Sequence, residues 1–133
     1  DIVKKAGRER DFLIASAATS AEEIWNGVGN PVYPPAREEL RKHGIGCEGK
    51  RAVQLKKSDY NKYDYLIGMD DANIKNMKRI TGRQDNIYKL LSFAGSEASV
   101  ADPWYSGEFG IAYSDIERGV KGFFEYLEEL ENA

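Results

Sequence analysis

Three short apolar runs constrain the fold of this chain more than any other feature. They span Phe12–Ala18, Tyr65–Met69 and Ile87–Ala94. The first two runs are almost continuously apolar, which is typical of strands that are buried on both faces of a parallel sheet. Helical patterns separate and follow the runs. Strands that alternate with helices predict an α/β fold in which right-handed crossovers connect parallel strands.

Local signals predict where two of the helices begin and end. A pair of prolines at Pro34 opens a helix that Gly44 stops, because proline fits the first turn of a helix and glycine its end. Asp70 and Asp71 open a second helix, which ends before Gly82. The first nine residues have the pattern of the last turns of a further helix.

A longer helix follows near the carboxyl terminus. Ser114 and Glu117 have the spacing of a capping box, in which each side chain bonds the other residue's backbone N–H. The sequence therefore predicts a final helix that begins at Ser114. An apolar stripe at helical spacing lies behind this box. It consists of Ile116, Val120, Phe123, Phe124, Leu127 and Leu130.

Length and composition indicate a single domain over residues 1–133. The net charge of −3 argues against a nucleic-acid partner, because phosphate backbones call for a basic face. No apolar run reaches the length of a membrane span, and no signal-peptide pattern opens the chain. The single cysteine, Cys47, cannot form an internal disulfide, which fits a reducing compartment. We therefore expect a cytoplasmic protein that binds neither nucleic acid nor membrane.

The motif most indicative of chemistry is Ala101-Asp102-Pro103-Trp104-Tyr105. Proline holds the residue before it in extended conformations, so the Asp102 carboxyl can be aimed. A carboxyl beside aromatic surface tends to have a raised pKa, which suits a general acid that protonates a leaving oxygen. The alternative is a surface turn in which Asp102 caps a helix, and these five residues alone favour that alternative.

Four separated segments, taken in order, resemble the low-molecular-weight protein tyrosine phosphatases of bacterial type. They are SAATSAEEIWNGVGNPVYPPAREELRKHGI, YDYLIGMDDANIKNM, the DPWY motif and the final helix. The resemblance covers essentially the whole chain, and four motifs in the right order are far more specific than any one of them.

The resemblance implies roles for particular residues. The general acid of the family falls on Asp102, and its paired aromatic residues fall on Trp104 and Tyr105. A tryptophan that follows an early strand falls on Trp25, and the three rings are implied to line a slot for a phosphotyrosine side chain. Asp70 matches another family position, for which a helix N-cap is an equally good explanation. No metal or cofactor is implied, and no cluster of metal ligands appears in the sequence.

The same resemblance implies a three-layer fold whose parallel sheet has strand order 2-1-3-4 between helices. The family's nucleophile is a cysteine in a C-x5-R-S loop after the first strand, and its backbone N–H groups would cradle the phosphate. These 133 residues contain no such loop, so we expect a domain that is N-terminally incomplete and inactive as it stands, from an active parent phosphatase. Cys47 has Arg51 as its nearest arginine and is interpreted as a small hydrophobic residue.

Without the central first strand, a slot about 10 Å wide is expected between Phe12–Ala18 and Tyr65–Met69. A preceding segment could fill it, another chain could fill it by self-association, or the fragment could repack. The alternatives for function are a non-catalytic module that binds phosphoproteins or another partner, and, less well supported, an arsenate reductase. The expected substrates are a phosphotyrosine protein or a small phosphate ester. The choice between phosphotyrosine and phosphoarginine stays open.

Overall fold

The computed structural model describes residues 12–19, 24–25, 28–29, 32–47, 49–102 and 107–132, with residues 24–25 and 28–29 described by their backbone alone. Four short strands, three α-helices and two 3-10 helices are assigned in these ranges. They are β1 Ile24–Trp25, β2 Val28–Gly29, α1 Pro34–Lys42, a 3-10 helix Lys57–Asn61, β3 Leu66–Gly68, α2 Asp71–Thr81, β4 Ile87–Lys89, a 3-10 helix Leu90–Ala94 and α3 Phe109–Glu131. None of the described helices combines the length and the apolar character that crossing a membrane requires.

Strands β3 and β4 form the parallel pair at the centre of the fold. Leu66 is in register with Ile87, and Gly68 is in register with Lys89. Helix α2 connects the two strands, so the segment is a βαβ unit of the kind that the alternating pattern predicts. Strands β1 and β2 pair separately as a short antiparallel ribbon. The α/β fold with a small parallel sheet is therefore confirmed.

Both faces of β3 are covered by apolar side chains. Leu66 belongs to a cluster with Tyr60 and with Met77 of α2. Its neighbour Ile67 packs against a second cluster, which contains Leu90, Leu91, Val100 and Ala112. Because successive side chains in a strand point to opposite faces, β3 is buried from two sides, as its continuous apolar run predicts.

The predicted strand Phe12–Ala18 is wrong for most of its length. Residues 12–17 have no strand assignment, and Ala18 alone forms a parallel bridge, with Gln54. A strand needs a neighbouring backbone to accept and donate its hydrogen bonds, and Ala18 has one: its N–H donates to the Val53 carbonyl oxygen, and its carbonyl oxygen accepts from the Leu55 N–H. Leu13 is 79% exposed and Ile14 is 68% exposed, so this apolar run is not buried as a strand inside a sheet would be.

The predicted strand Ile87–Ala94 ends early, at Lys89, and a 3-10 helix replaces its second half. Leu90 and Leu91 are both buried, and both belong to the same apolar cluster. In a strand these adjacent side chains would point to opposite faces. The helical turn lets both enter one cluster, and Gly95 ends it in the left-handed conformation at φ 74°.

The prediction that the last helix begins at Ser114 is also wrong, because α3 begins at Phe109. Ala112, in its first turn, is buried in the cluster around Leu90 and Leu91. This packing extends the helix past the local capping signal, so Ser114 and Asp115 lie inside it. The apolar stripe is only partly the buried face, since Ile116 is 39% and Leu130 is 51% exposed.

Other local signals are confirmed. Helix α1 begins at Pro34, and Gly44 follows its end in the left-handed conformation. Helix α2 has Asp70 as its N-cap and Gly82 as a left-handed C-cap. The helix predicted at residues 1–9 lies outside the described residues.

Two glycines let α3 approach the 3-10 helix Leu90–Ala94 closely, Gly119 against a side chain and Gly122 against the backbone. A Cβ atom on Gly119 would lie 2.4 Å from Leu90 Cγ, and one on Gly122 would lie 2.3 Å from the Phe93 carbonyl oxygen. Both distances are shorter than van der Waals contact. The contact therefore depends on the absence of a side chain at these two helix positions.

We predict that Gly122→Ala lowers the free energy of unfolding by about 1–3 kcal/mol, the usual cost of overpacking a filled site. The matched control is Gly110→Ala in the same helix, where a new Cβ would meet only Glu39 Oε1 at 3.6 Å. That change should stabilise the protein by up to about 1 kcal/mol, because alanine has the higher helix propensity. Urea denaturation measures both, and equal effects of the two substitutions would contradict the packing argument.

Candidate functional site

The carboxyl end of β3 passes directly into the capped start of α2. Asp70 Oδ1 accepts a hydrogen bond from the Asn73 backbone N–H at 2.7 Å. The side chain of Asn73 bonds the residue before Asp70: Asn73 Oδ1 accepts a hydrogen bond from the Met69 backbone N–H at 3.1 Å. The Asn73 amide nitrogen also donates to Thr19 Oγ1 at 3.4 Å. Asp70 is thus a helix N-cap, and Asn73 links the end of β3 to the segment that contains Thr19.

We predict that Asp70→Ala lowers the free energy of unfolding by about 1 kcal/mol, the typical effect of losing an N-cap. Asp70→Asn keeps a side-chain oxygen that can accept the Asn73 N–H, so it should cost much less. Thermal or urea unfolding of the two variants tests this. A similar loss in both would show that the charge of Asp70, and not its cap, is what stabilises the fold.

The chain returns to the same edge through the segment that carries Asp102. The Val100 N–H donates to the Met69 carbonyl oxygen at 2.9 Å. The next amide, that of Ala101, donates to Asp115 Oδ2 in α3 at 3.1 Å. Val100 is buried, whereas Asp102 is exposed. The structure therefore places an exposed carboxylate immediately after two anchored backbone amides, beside the carboxyl end of a parallel strand.

A cavity of about 350 Å³ lies beside Asp102, between α1, α3 and the end of β3. Its walls are mainly apolar, and the carboxylates of Asp70 and Asp102 are among the polar groups that line it. The apolar lining includes Ala36, Leu40, Val100, Phe109, Ala112 and Ile116. Ligands of α/β sheets bind at the carboxyl ends of the strands, so this edge is the candidate site.

A second cavity, of about 500 Å³, separates residues 15–19 from β3. It occupies the place where the sequence predicts a slot between Phe12–Ala18 and Tyr65–Met69. Met69 lines both cavities, so the two lie on either side of this residue. Burial raises the pKa of the Tyr65 hydroxyl on its wall, and the neighbouring Tyr126 and Tyr88 raise it further.

The other candidate residues are placed unequally. Cys47 is half-buried in the loop after α1 and lines neither cavity. The backbone of Trp25 pairs with Val28, but its side chain lies outside the described residues, as do Trp104 and Tyr105. Among the described residues, no group of three or more His, Cys, Asp or Glu side chains is arranged to hold a metal ion.

Sequence comparison identifies the family. A model described as "Low molecular weight phosphotyrosine protein phosphatase" matches residues 1–133. The chain belongs to this family. It is 33% identical over 113 residues to the low molecular weight protein-tyrosine-phosphatase YfkJ of Bacillus subtilis, covering 82% of this chain and 70% of YfkJ. It is 32% identical over 122 residues to the mouse low molecular weight phosphotyrosine protein phosphatase, covering 86% of this chain and 74% of the mouse protein.

Structure comparison agrees with the sequence. The crystal structure of YfkJ from Bacillus subtilis superposes with a TM-score of 0.84 at 28% identity, over 96% of this chain and 80% of that one. The family assigned from four motifs is thus confirmed. Asn73 and Asp115 are the residues of this site that sequence reasoning missed. Thr19, one partner of Asn73, lies 54 positions away, and Ala101, the partner of Asp115, lies 14 positions away, so no local pattern predicts these two contacts.

Proposed function

We propose that this chain is the acid-bearing part of a phosphotyrosine phosphatase, and that Asp102 protonates the leaving phenolate. The observation that carries the proposal is the exposed Asp102 carboxylate, which follows two anchored amides at the carboxyl end of β3. A general acid must be held within hydrogen-bond reach of the leaving oxygen. Asp102 combines two anchored amides before it with an exposed position beside the cavity.

The proposed reaction breaks the bond between phosphorus and the phenolic oxygen. A cysteine thiolate attacks phosphorus, the phenolate leaves with a proton from Asp102, and water then hydrolyses the phosphocysteine. The substrates are phosphotyrosine proteins or small phosphate esters. Trp25, Trp104 and Tyr105 are proposed to line the slot for the substrate ring, and the reaction is proposed to take place in the cytoplasm.

The nucleophile has to come from a C-x5-R-S loop, and these 133 residues contain none, since Val53 stands where Cys47 would need its arginine. A general acid supplies only about 10²–10⁴-fold of the acceleration, whereas enzymes can accelerate phosphate-monoester hydrolysis by up to ~10²¹-fold. We therefore predict that the 133-residue chain alone is inactive.

The first test joins an intact mass to a turnover assay. The protein is expressed from its own gene, its mass is measured, and hydrolysis of para-nitrophenyl phosphate is followed with and without vanadate. A mass above 14.9 kDa with vanadate-sensitive turnover supports the proposal. A mass of 14.9 kDa without turnover favours a non-catalytic module that binds phosphoproteins. Turnover by the 133-residue chain alone would contradict the assignment of the nucleophile.

The role of Asp102 has its own prediction. In the active protein that contains the C-x5-R-S loop, Asp102→Asn should lower kcat for phenyl phosphate by about 10²–10⁴-fold, because a poor leaving group needs the proton. It should affect 2,4-dinitrophenyl phosphate far less, since that phenolate leaves without protonation. The matched control is Glu117→Gln, which removes a carboxylate from α3 that is paired with Lys121 at 3.5 Å. A loss that is equal for the two esters would contradict the acid role.

A further inference from the structure

Asp115 uses its carboxylate for a contact outside its own helix. It lies in the second turn of α3, where the helix needs no N-cap, and its side chain is only 18% exposed. Its Oδ2 atom accepts the Ala101 N–H at 3.1 Å, across 14 residues of chain. The Asp115 carboxylate therefore links α3 to the segment that carries the exposed Asp102.

We infer that Asp115 is a positioning residue for Asp102, an inference that rests on the proposed function. The argument begins with the amide that it holds. Ala101 is covalently adjacent to Asp102, and the preceding amide, that of Val100, is held by the Met69 carbonyl oxygen at 2.9 Å. Pro103 restricts the Asp102 backbone from the other side. Two consecutive amides just before Asp102 are thus fixed to different parts of the chain, Met69 directly after β3 and Asp115 in α3.

The charge of Asp115 suits this task. A hydrogen bond to an ionised acceptor is roughly twice as strong as one between neutral groups. The other close partner of the carboxylate is Arg118, whose guanidinium lies 3.7 Å from Oδ1 and is 57% exposed. Exposed ion pairs of this kind contribute little to stability. The hydrogen bond to the Ala101 amide is therefore the stronger of these two contacts of Asp115, and the ion pair with Arg118 the weaker.

Loss of the hydrogen bond between Asp115 and the Ala101 N–H should slow the proton transfer from Asp102 to the leaving oxygen and leave the other steps unchanged. A misplacement of about 1 Å can cost about 10²-fold in rate, and Asp102 delivers its proton only from the right place. Asp115→Ala should therefore lower kcat for phenyl phosphate by about tenfold or more. The same variant should change kcat for 2,4-dinitrophenyl phosphate little. A general loss of folded protein would lower both rates equally.

The kinetic test compares Asp115→Ala, Asp115→Asn and Arg118→Ala with Asp102→Asn as the benchmark, in the active protein that contains the C-x5-R-S loop. Asp115→Asn keeps an acceptor oxygen and should restore most of the rate. Arg118→Ala removes the ion pair alone and should leave both substrates unaffected. If Asp102→Asn is selective for phenyl phosphate and Asp115→Ala is not, the positioning role is wrong and the proposed function stands. If Asp102→Asn is not selective, the proposed function fails.

Amide hydrogen exchange in the 133-residue chain tests the anchor without any turnover. Asp115→Ala should speed exchange at Ala101 by about tenfold, the effect of losing one charge-assisted hydrogen bond. Exchange at Val120, in the middle of α3, should stay unchanged, and Asp115→Asn should show a smaller change at Ala101. Unchanged exchange at Ala101, or an equal rise at Val120, would overturn the inference whatever the kinetics show.

Discussion

The burial of β3 from two sides is the constraint on which the rest of this structure depends. A strand of three residues has few hydrogen bonds of its own, so side-chain packing has to hold it in place. Leu66 packs toward α2 and Ile67 packs toward the cluster beneath α3. Each helix is thereby fixed relative to the same short strand. The carboxyl end of β3 is consequently the point where α2, α3 and the Asp102 segment meet.

The segment before Asp102 is anchored along its length by groups from three different elements. The Lys89 ammonium at the end of β4 donates to the Glu97 carbonyl oxygen, and also to Asp71 Oδ1 at 2.9 Å. Beyond this point Met69 and then Asp115 hold the next amides. Sites on loops are generally less precise than sites on helices and strands, so an irregular segment needs anchors of this kind to hold a side chain in place.

Much of the fold could be predicted from local sequence, because its signals act within one turn. The proline at Pro34 and the cap at Asp70 depend only on neighbouring backbone, and both are where the sequence predicts them. Ser114 shows the limit of such signals. Its capping pattern is genuine, but the burial of Ala112 extends the helix by a further turn. The strand predicted over Ile87–Ala94 is wrong in its second half for a similar reason, since a 3-10 helix there buries Leu90 and Leu91 together.

The site could be predicted only in part. Asp102 is predicted to be the general acid only because a family motif surrounds it, since nothing in its own five residues distinguishes an acid from a turn. Asn73 and Asp115 were missed because each acts on a partner that the folded chain alone brings near. A cavity lies between residues 15–19 and β3, where the resemblance implies the first strand of the family's sheet.

The glycine contact of α3 means that a tilt of the helix at this point would displace residues further along it. The pivot is Gly122, whose position lies against the Phe93 backbone with no side chain between them, whereas Gly119 lies against the Leu90 side chain. Asp115 lies seven residues before Gly122, which at the rise of an α-helix is about 10 Å along the axis. A tilt of about 10° at this pivot would therefore carry the carboxylate by about 2 Å. A small change in the packing beneath Gly122 would thus displace the carboxylate that accepts the Ala101 N–H.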